Sequence, residues 1–270
     1  MQKGSDGNGM AQAGDELVDR RATLRSVQAF ANAAQSACSV AELEDAIASA
    51  SGELGFDHFA IVNHVDFGKL TPNTIRLSNY PEKFIARIRE GQFARDPVLR
   101  ASERTNAGFL WSDIERLITL TERDRLYMRT ANELGLAEGF TVPYHIPGET
   151  LGSCHFAVSK PGTLPKEHLA AAQSLGAFGF EAARRLLHNR EDHANLLTKR
   201  VPLTQRQRDC VVEVARGKSD TVIAQLLGLR PRTVNEYIES AKRRYLVSTR
   251  QQLIVRALFQ SDICFSEVLA

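Results

Sequence analysis

The side chains with the most evident chemistry stand between Pro231 and Arg244. Val234, Ile238 and Ala241 recur there at helical spacing, so the opposite face of the helix carries Arg232, Asn235, Glu236, Glu239 and Arg243. Arg, Asn and Glu can pair with base edges in a major groove, whereas Lys and Arg beside a reading face neutralise phosphates. Asn235 is the candidate base reader, Lys242, Arg243 and Arg244 are candidate phosphate anchors, and Lys218, Ser219 and Thr233 complete the candidate DNA-contacting set. Glu236 and Glu239 can accept from cytosine amino groups, or can repel phosphate and so lower non-specific affinity.

Short helices must position that face. Thr204 caps a helix that turns Cys210, Val211 and Val214 inward and stops at Gly217. Ser219 caps a second helix carrying Val222, Ile223, Leu226 and Leu227, Gly228 makes a tight turn, and Pro231 opens the reading helix. A last helix over Ser248–Leu258 packs Leu253, Ile254 and Ala257. Two short helices joined at a glycine, the second with a polar face, fit a major groove. The charge agrees: Leu203–Leu258 holds eleven Lys and Arg against five Asp and Glu, in a chain of net charge only +2.

Upstream, the pattern is α+β. Helices are predicted over Leu17–Ala34, from the Ser39–Glu42 capping box to Leu54, after Pro81, after the Asp96 cap, from Thr121 to Gly135 and over Pro165–His188. The last has Leu169, Ala172, Leu175, Phe178 and Ala182 on its inward stripe. Strands are predicted over His58–Val65, Thr74–Tyr80, Gly139–Ile146 and Gly152–Ser159, forming a small antiparallel sheet. The expected organisation is a disordered arm over 1–16, a sensor domain over 17–188, a charged linker over 189–202, a DNA-binding domain over 203–260 and a tail over 261–270. The arm has no apolar signal-peptide core and no apolar run reaches membrane-span length, so a cytoplasmic protein is expected. Cys38, Cys154, Cys210 and Cys264 lack metal-ligand spacing, so neither a metal nor another cofactor is expected. No nucleophile–base constellation points to an enzyme.

The ordered features Leu203-Thr204, Gly217-Lys218-Ser219, Ile223-Ala224, Leu227 and Thr233-Val234 resemble the helix-turn-helix domain of LuxR-type regulators. Two residues depart from that pattern: Gln207 replaces a glutamate, and Arg230 replaces the serine cap of the reading helix. The first domain resembles the quorum-sensing branch of the same family, through Leu77-Ser78-Asn79-Tyr80-Pro81, Asp96-Pro97-Val98, Phe109-Leu110-Trp111-Ser112 and Gly135-x-x-x-Gly139 with Thr141. The resemblance implies an α/β/α sandwich binding a small ligand, an acyl-homoserine lactone or a related signal. It implies that Asp96 accepts from a ligand amide, that Trp111 walls a lactone ring, and that Gly139 permits close packing. It also implies that Val98, Leu99, Tyr127, Met128, Leu136 and Thr141 surround an acyl chain. From the residues alone, Asp96 is equally a helix cap before Pro97, and the apolar positions are equally core.

The family pattern P-x-x-W-x-x-x-Y reads here with Phe84 and Ile88, which replace two polar donors with none. Tyr80 and Ser78 are the nearby substitutes. The expected function is a signal-responsive, homodimeric regulator binding a palindromic promoter site. Its alternatives are a signal-independent regulator with a collapsed pocket and an inactive partner that sequesters a related regulator as a heterodimer.

Overall fold

The structure, a computed structural model, describes residues 7–65, 74–91, 96–147, 149–188 and 202–269, with 7–19 as backbone only. Two compact units form. The first begins with α1 (Gly7–Ser36) and α2 (Val40–Glu53). Helix α1 starts ten residues before the predicted Leu17, inside the expected disordered arm. Residues 1–6 of that arm lie outside the described residues, as does the expected linker up to Val201. In α2 the predicted cap is present: the Glu42 N–H donates to the Ser39 hydroxyl at 3.2 Å.

The sheet has five antiparallel strands, one more than the sequence predicts: β1 (His58–Asn63), β2 (Arg76–Ser78), β3 (Phe109–Leu110), β4 (Glu138–Tyr144) and β5 (Gly152–Val158), in the order β2-β1-β5-β4-β3. The extra strand, β3, is two residues long, too short for an alternation signal. Every residue of β5 is buried, because helices cover both sheet faces. Alternation then sends Cys154 and Phe156 to one face and Ser153, His155 and Ala157 to the other.

Helices α1, α2 and α6 (Leu169–His188) pack on the Cys154 face. A 3₁₀ turn over Lys166–His168 precedes α6 where the sequence predicts regular helix. Gly176 and Gly179 let α6 lie close: a Cβ on Gly179 would stand 3.1 Å from Ile47 and Ile61. That register turns Phe180 inward to stack on Tyr144 at 4.6 Å and leaves the predicted core residue Phe178 exposed.

The opposite face is covered by α3 (Glu82–Arg89), α4 (Pro97–Ser102), a 3₁₀ turn (Trp111–Arg116) and α5 (Glu122–Glu133). Their apolar side chains join Ala157 in one cluster. The α/β/α sandwich implied by the resemblance is present. Among the described residues, no helix is long and apolar enough to cross a membrane.

The second unit has α7 (Gln205–Ala215), α8 (Asp220–Leu227), α9 (Pro231–Tyr245) and α10 (Arg250–Phe259) around Cys210, Ile223, Val234, Ile238 and Leu253. A short α11 (Phe265–Leu269) follows where the sequence predicts only a tail. Arg208 holds this end, donating to the Asp262 carbonyl at 2.9 Å and pairing with Glu267. The helix predicted over Ser248–Leu258 is α10, which begins at Arg250 behind Thr249, where Thr249 and Gln252 close a capping box.

Candidate functional site

Between the sheet and α3–α5 lies a cavity of about 590 Å³. Of the sequence-predicted ligand residues, Tyr80, Phe84, Ile88, Asp96, Val98, Leu99, Trp111, Tyr127, Met128 and Leu136 line it. Thr141 does not: it is fully buried behind Trp111, whose indole N–H donates to the Thr141 hydroxyl at 2.9 Å.

Asp96 both caps α4 and faces the cavity. Its carboxylate accepts from the Val98 N–H at 2.8 Å and from the Tyr127 hydroxyl at 2.6 Å. Burial raises its pKa above the ordinary carboxylate value, against hydrogen bonds from Tyr127, Val98 and Leu99 that lower it. Burial likewise pushes the Tyr80 and Tyr127 phenols well above their usual range, with the Asp96 charge adding to both. Tyr80 meets Phe84 edge-on at 5.7 Å, and Phe84 meets Tyr127 edge-on at 6.1 Å. Trp111 crosses β4 at Gly139, where a Cβ would approach the indole to 2.4 Å.

Sequence reasoning missed the polar part of the wall. The residues His64, His155, Asn63, Arg76, Arg100 and Glu103 also line the cavity. His155 Nδ1 lies 2.9 Å from the Thr141 hydroxyl, and its Nε2 lies 2.7 Å from Ser153, whose hydroxyl reaches His64 Nε2 at 2.8 Å. Trp111 already donates to Thr141, so the Thr141 proton is best placed toward His155 Nδ1. His155 then donates through Nε2 to Ser153, and Ser153 to His64. That direction leaves the His64 proton on Nδ1, which is buried without a partner among the described residues. Burial pulls His155 down to about 3 and His64 to about 4, so both rings are neutral near pH 7. The signal that could have placed them is the strand period: Ala60, Val62 and His64 share a face, as do Ser153, His155 and Ala157.

In the second unit, α9 turns Val234, Ile238 and Ala241 inward, as the spacing predicts. Arg232, Asn235, Glu236 and Arg243 are exposed, as are Lys218 and Ser219 before α8, while Thr233, Glu239 and Lys242 are partly covered. Four of the expected contact residues pair with one another within the helix. Arg232 pairs with Glu236 at 3.1 Å, and Lys242 pairs with Glu239 at 2.8 Å. Arg244 donates through one guanidinium nitrogen to the Pro202 carbonyl at 2.9 Å, with its other N–H groups left for a phosphate. Asn235 makes no side-chain hydrogen bond among the described residues.

Residues 39–186 match the family described as "Autoinducer binding domain", and residues 201–257 match "Bacterial regulatory proteins, luxR family". The chain belongs to the LuxR family. Relatives include RhlR of Pseudomonas aeruginosa, 27% identical over 71% of this chain and 77% of that protein. AhyR of Aeromonas hydrophila is 24% identical over 76% of this chain and 79% of that protein. The protein y4qH of Sinorhizobium fredii is 28% identical over 77% of this chain, which spans only 61% of its length. Escherichia coli SdiA has a similar fold, with a TM-score of 0.59 at 21% identity over 88% of this chain and 97% of that one.

The protein is therefore a LuxR-family DNA-binding transcription regulator with an autoinducer-binding domain, not an enzyme. Its departures from the family pattern have distinct local consequences. Gln207 still closes the capping box with Thr204 and also donates to the Ser240 hydroxyl at 2.9 Å, tying α7 to α9. Arg230 gives α9 no side-chain cap, and Pro231 at the first helical position compensates by removing one N–H that would need a partner.

Proposed function

We propose that this regulator binds a small, largely apolar acyl signal in the cavity, and that the bound signal favours a cytoplasmic homodimer reading a palindromic promoter site. The observation that carries the reading is that Asp96, Tyr127, Tyr80 and Trp111 all line one mostly apolar cavity. A buried carboxylate is costly unless a donor meets it, and a ligand amide supplies that donor. An acyl-homoserine lactone is the reference member of the ligand class. SdiA, of similar fold, has been solved with octanoyl-rac-glycerol, which supports a class wider than lactones.

The open cavity favours this reading over a collapsed-pocket, signal-independent regulator. A ligand that fills the cavity unites α3, α4 and α5 with the sheet, and that cohesion is what couples it to assembly. In the dimer, Asn235 reads a base edge, Arg232, Thr233 and Arg243 border it, and Lys218, Ser219 and Lys242 meet the backbone. Mass spectrometry of small molecules co-purifying with the protein tests the cavity. A stoichiometric acyl compound is expected; protein that is ligand-free after expression with acyl signals, yet binds its promoter fully, would reverse the reading.

A further inference from the structure

We infer that the compartment between Phe84 and Trp111 takes a hydrocarbon or aryl group, so that the preferred ligand is an acyl amide with one carbonyl and an apolar substituent on nitrogen. The inference rests on the reading of the cavity as a signal site and narrows its chemistry.

Phe84, Trp111, Tyr127, Met128, Ala131 and Leu136 all line this part of the cavity, and the first three, Ala131 and Leu136 belong to one buried cluster. Among these, only Trp111 and Tyr127 carry donors, and both are engaged: the indole N–H by Thr141 at 2.9 Å, the phenol by Asp96 at 2.6 Å. A carbonyl placed here would be dry and unmet by any described side chain of the compartment, which weakens binding.

At the edge of the compartment the balance differs. Asp96 accepts from the Val98 and Leu99 N–H groups and from the Tyr127 hydroxyl, and a carboxylate has about four acceptor positions, so one is left for a ligand N–H. Tyr80, edge-on to Phe84, makes no hydrogen bond with its hydroxyl among the described residues and can donate to one carbonyl. One N–H acceptor and one available donor match a single amide. Among the described side chains of this compartment, none is left to donate to the second carbonyl of a lactone head.

The test uses the full chain and three compounds sharing one octanoyl chain: N-octanoyl homoserine lactone, N-octanoyl cyclopentylamine and N-octanoyl aniline. Trp111 is the sole tryptophan, so its emission reports binding. Either hydrocarbon-headed amide should bind at least about tenfold more tightly than the lactone. Phe84→Trp, which restores an indole N–H to the compartment, should shift the preference toward the lactone. Equal or tighter binding of the lactone by the natural chain overturns the inference and leaves the signal-site reading standing. An unchanged preference in a folded Phe84→Trp protein also overturns it, since donor count would then not set the choice. Failure of all three to bind overturns both.

Discussion

Trp111 lies so close over Gly139 that a single added Cβ would stand 2.4 Å from its ring. The cavity wall thus depends on a missing side chain in β4. Gly139→Ala should push the indole off Thr141 and cost about 1–3 kcal/mol through overpacking. Urea unfolding followed by Trp111 emission checks this. Unchanged stability and an unchanged emission maximum would show that the indole is placed by something else.

Asp96→Asn should separate binding from folding. Burial raises the Asp96 pKa in the folded chain, so its proton-linked stabilisation is present below the unfolded value and is lost as pH rises through the folded one. Burial makes the ionised form the costly one, and an amide retains the capping oxygen for Val98. The variant should melt at or above the temperature of the natural ligand-free protein, while affinity for acyl amides falls at least about tenfold. Scanning calorimetry beside a ligand titration separates the two effects; a large drop in melting temperature would make Asp96 chiefly structural.

The histidine relay predicts acid sensitivity of the opposite sign. His155 and His64 are depressed to about 3 and about 4, so their contribution is complete above the unfolded value near 6.5 and declines as pH falls toward the folded values. Between pH 6.5 and 5 each should remove about 1.5 kcal/mol of stability, the slope rising toward roughly 1.4 kcal/mol per pH unit at the acid end. Denaturant melts across that range should show the slope, and His155→Gln should flatten it. A slope unchanged in His155→Gln would place the proton uptake elsewhere.

Much of this molecule is legible in its residues, where the signal is local. Ser39, Thr121, Thr204 and Ser219 each mark a helix start that the structure bears out, and Pro231 opens α9. What escaped depends on contacts distant in sequence. Phe178 and Phe180 are two residues apart on α6, and only the approach of Gly176 and Gly179 to the sheet decides which turns inward. Thr141 sits among predicted pocket residues, yet the indole N–H of Trp111 claims it from thirty residues away. His64 and His155 are scattered histidines in the sequence and neighbours only through the β1–β5 register.

The reading helix yields its own prediction. Asn235→Ala should relax preference at one base pair, costing about 1–3 kcal/mol on the cognate site and little on random DNA. Glu239→Ala should do the reverse: it releases Lys242 from a 2.8 Å ion pair and removes a charge that repels phosphate. Non-specific affinity should rise, and the salt dependence should steepen by about one ion. Binding isotherms over a salt series distinguish them, and a loss of non-specific affinity in Glu239→Ala would mean that this carboxylate itself contacts DNA.

The central claim is that occupancy of the Asp96–Trp111 cavity controls DNA reading by α9. Its most direct test is the affinity of the purified full chain for a palindromic promoter fragment and for random DNA of equal length, at one salt concentration, with and without saturating acyl amide. The account predicts that ligand raises affinity for the palindrome at least about tenfold while leaving random DNA little changed. Identical affinity for the palindrome with and without demonstrably bound ligand would contradict it.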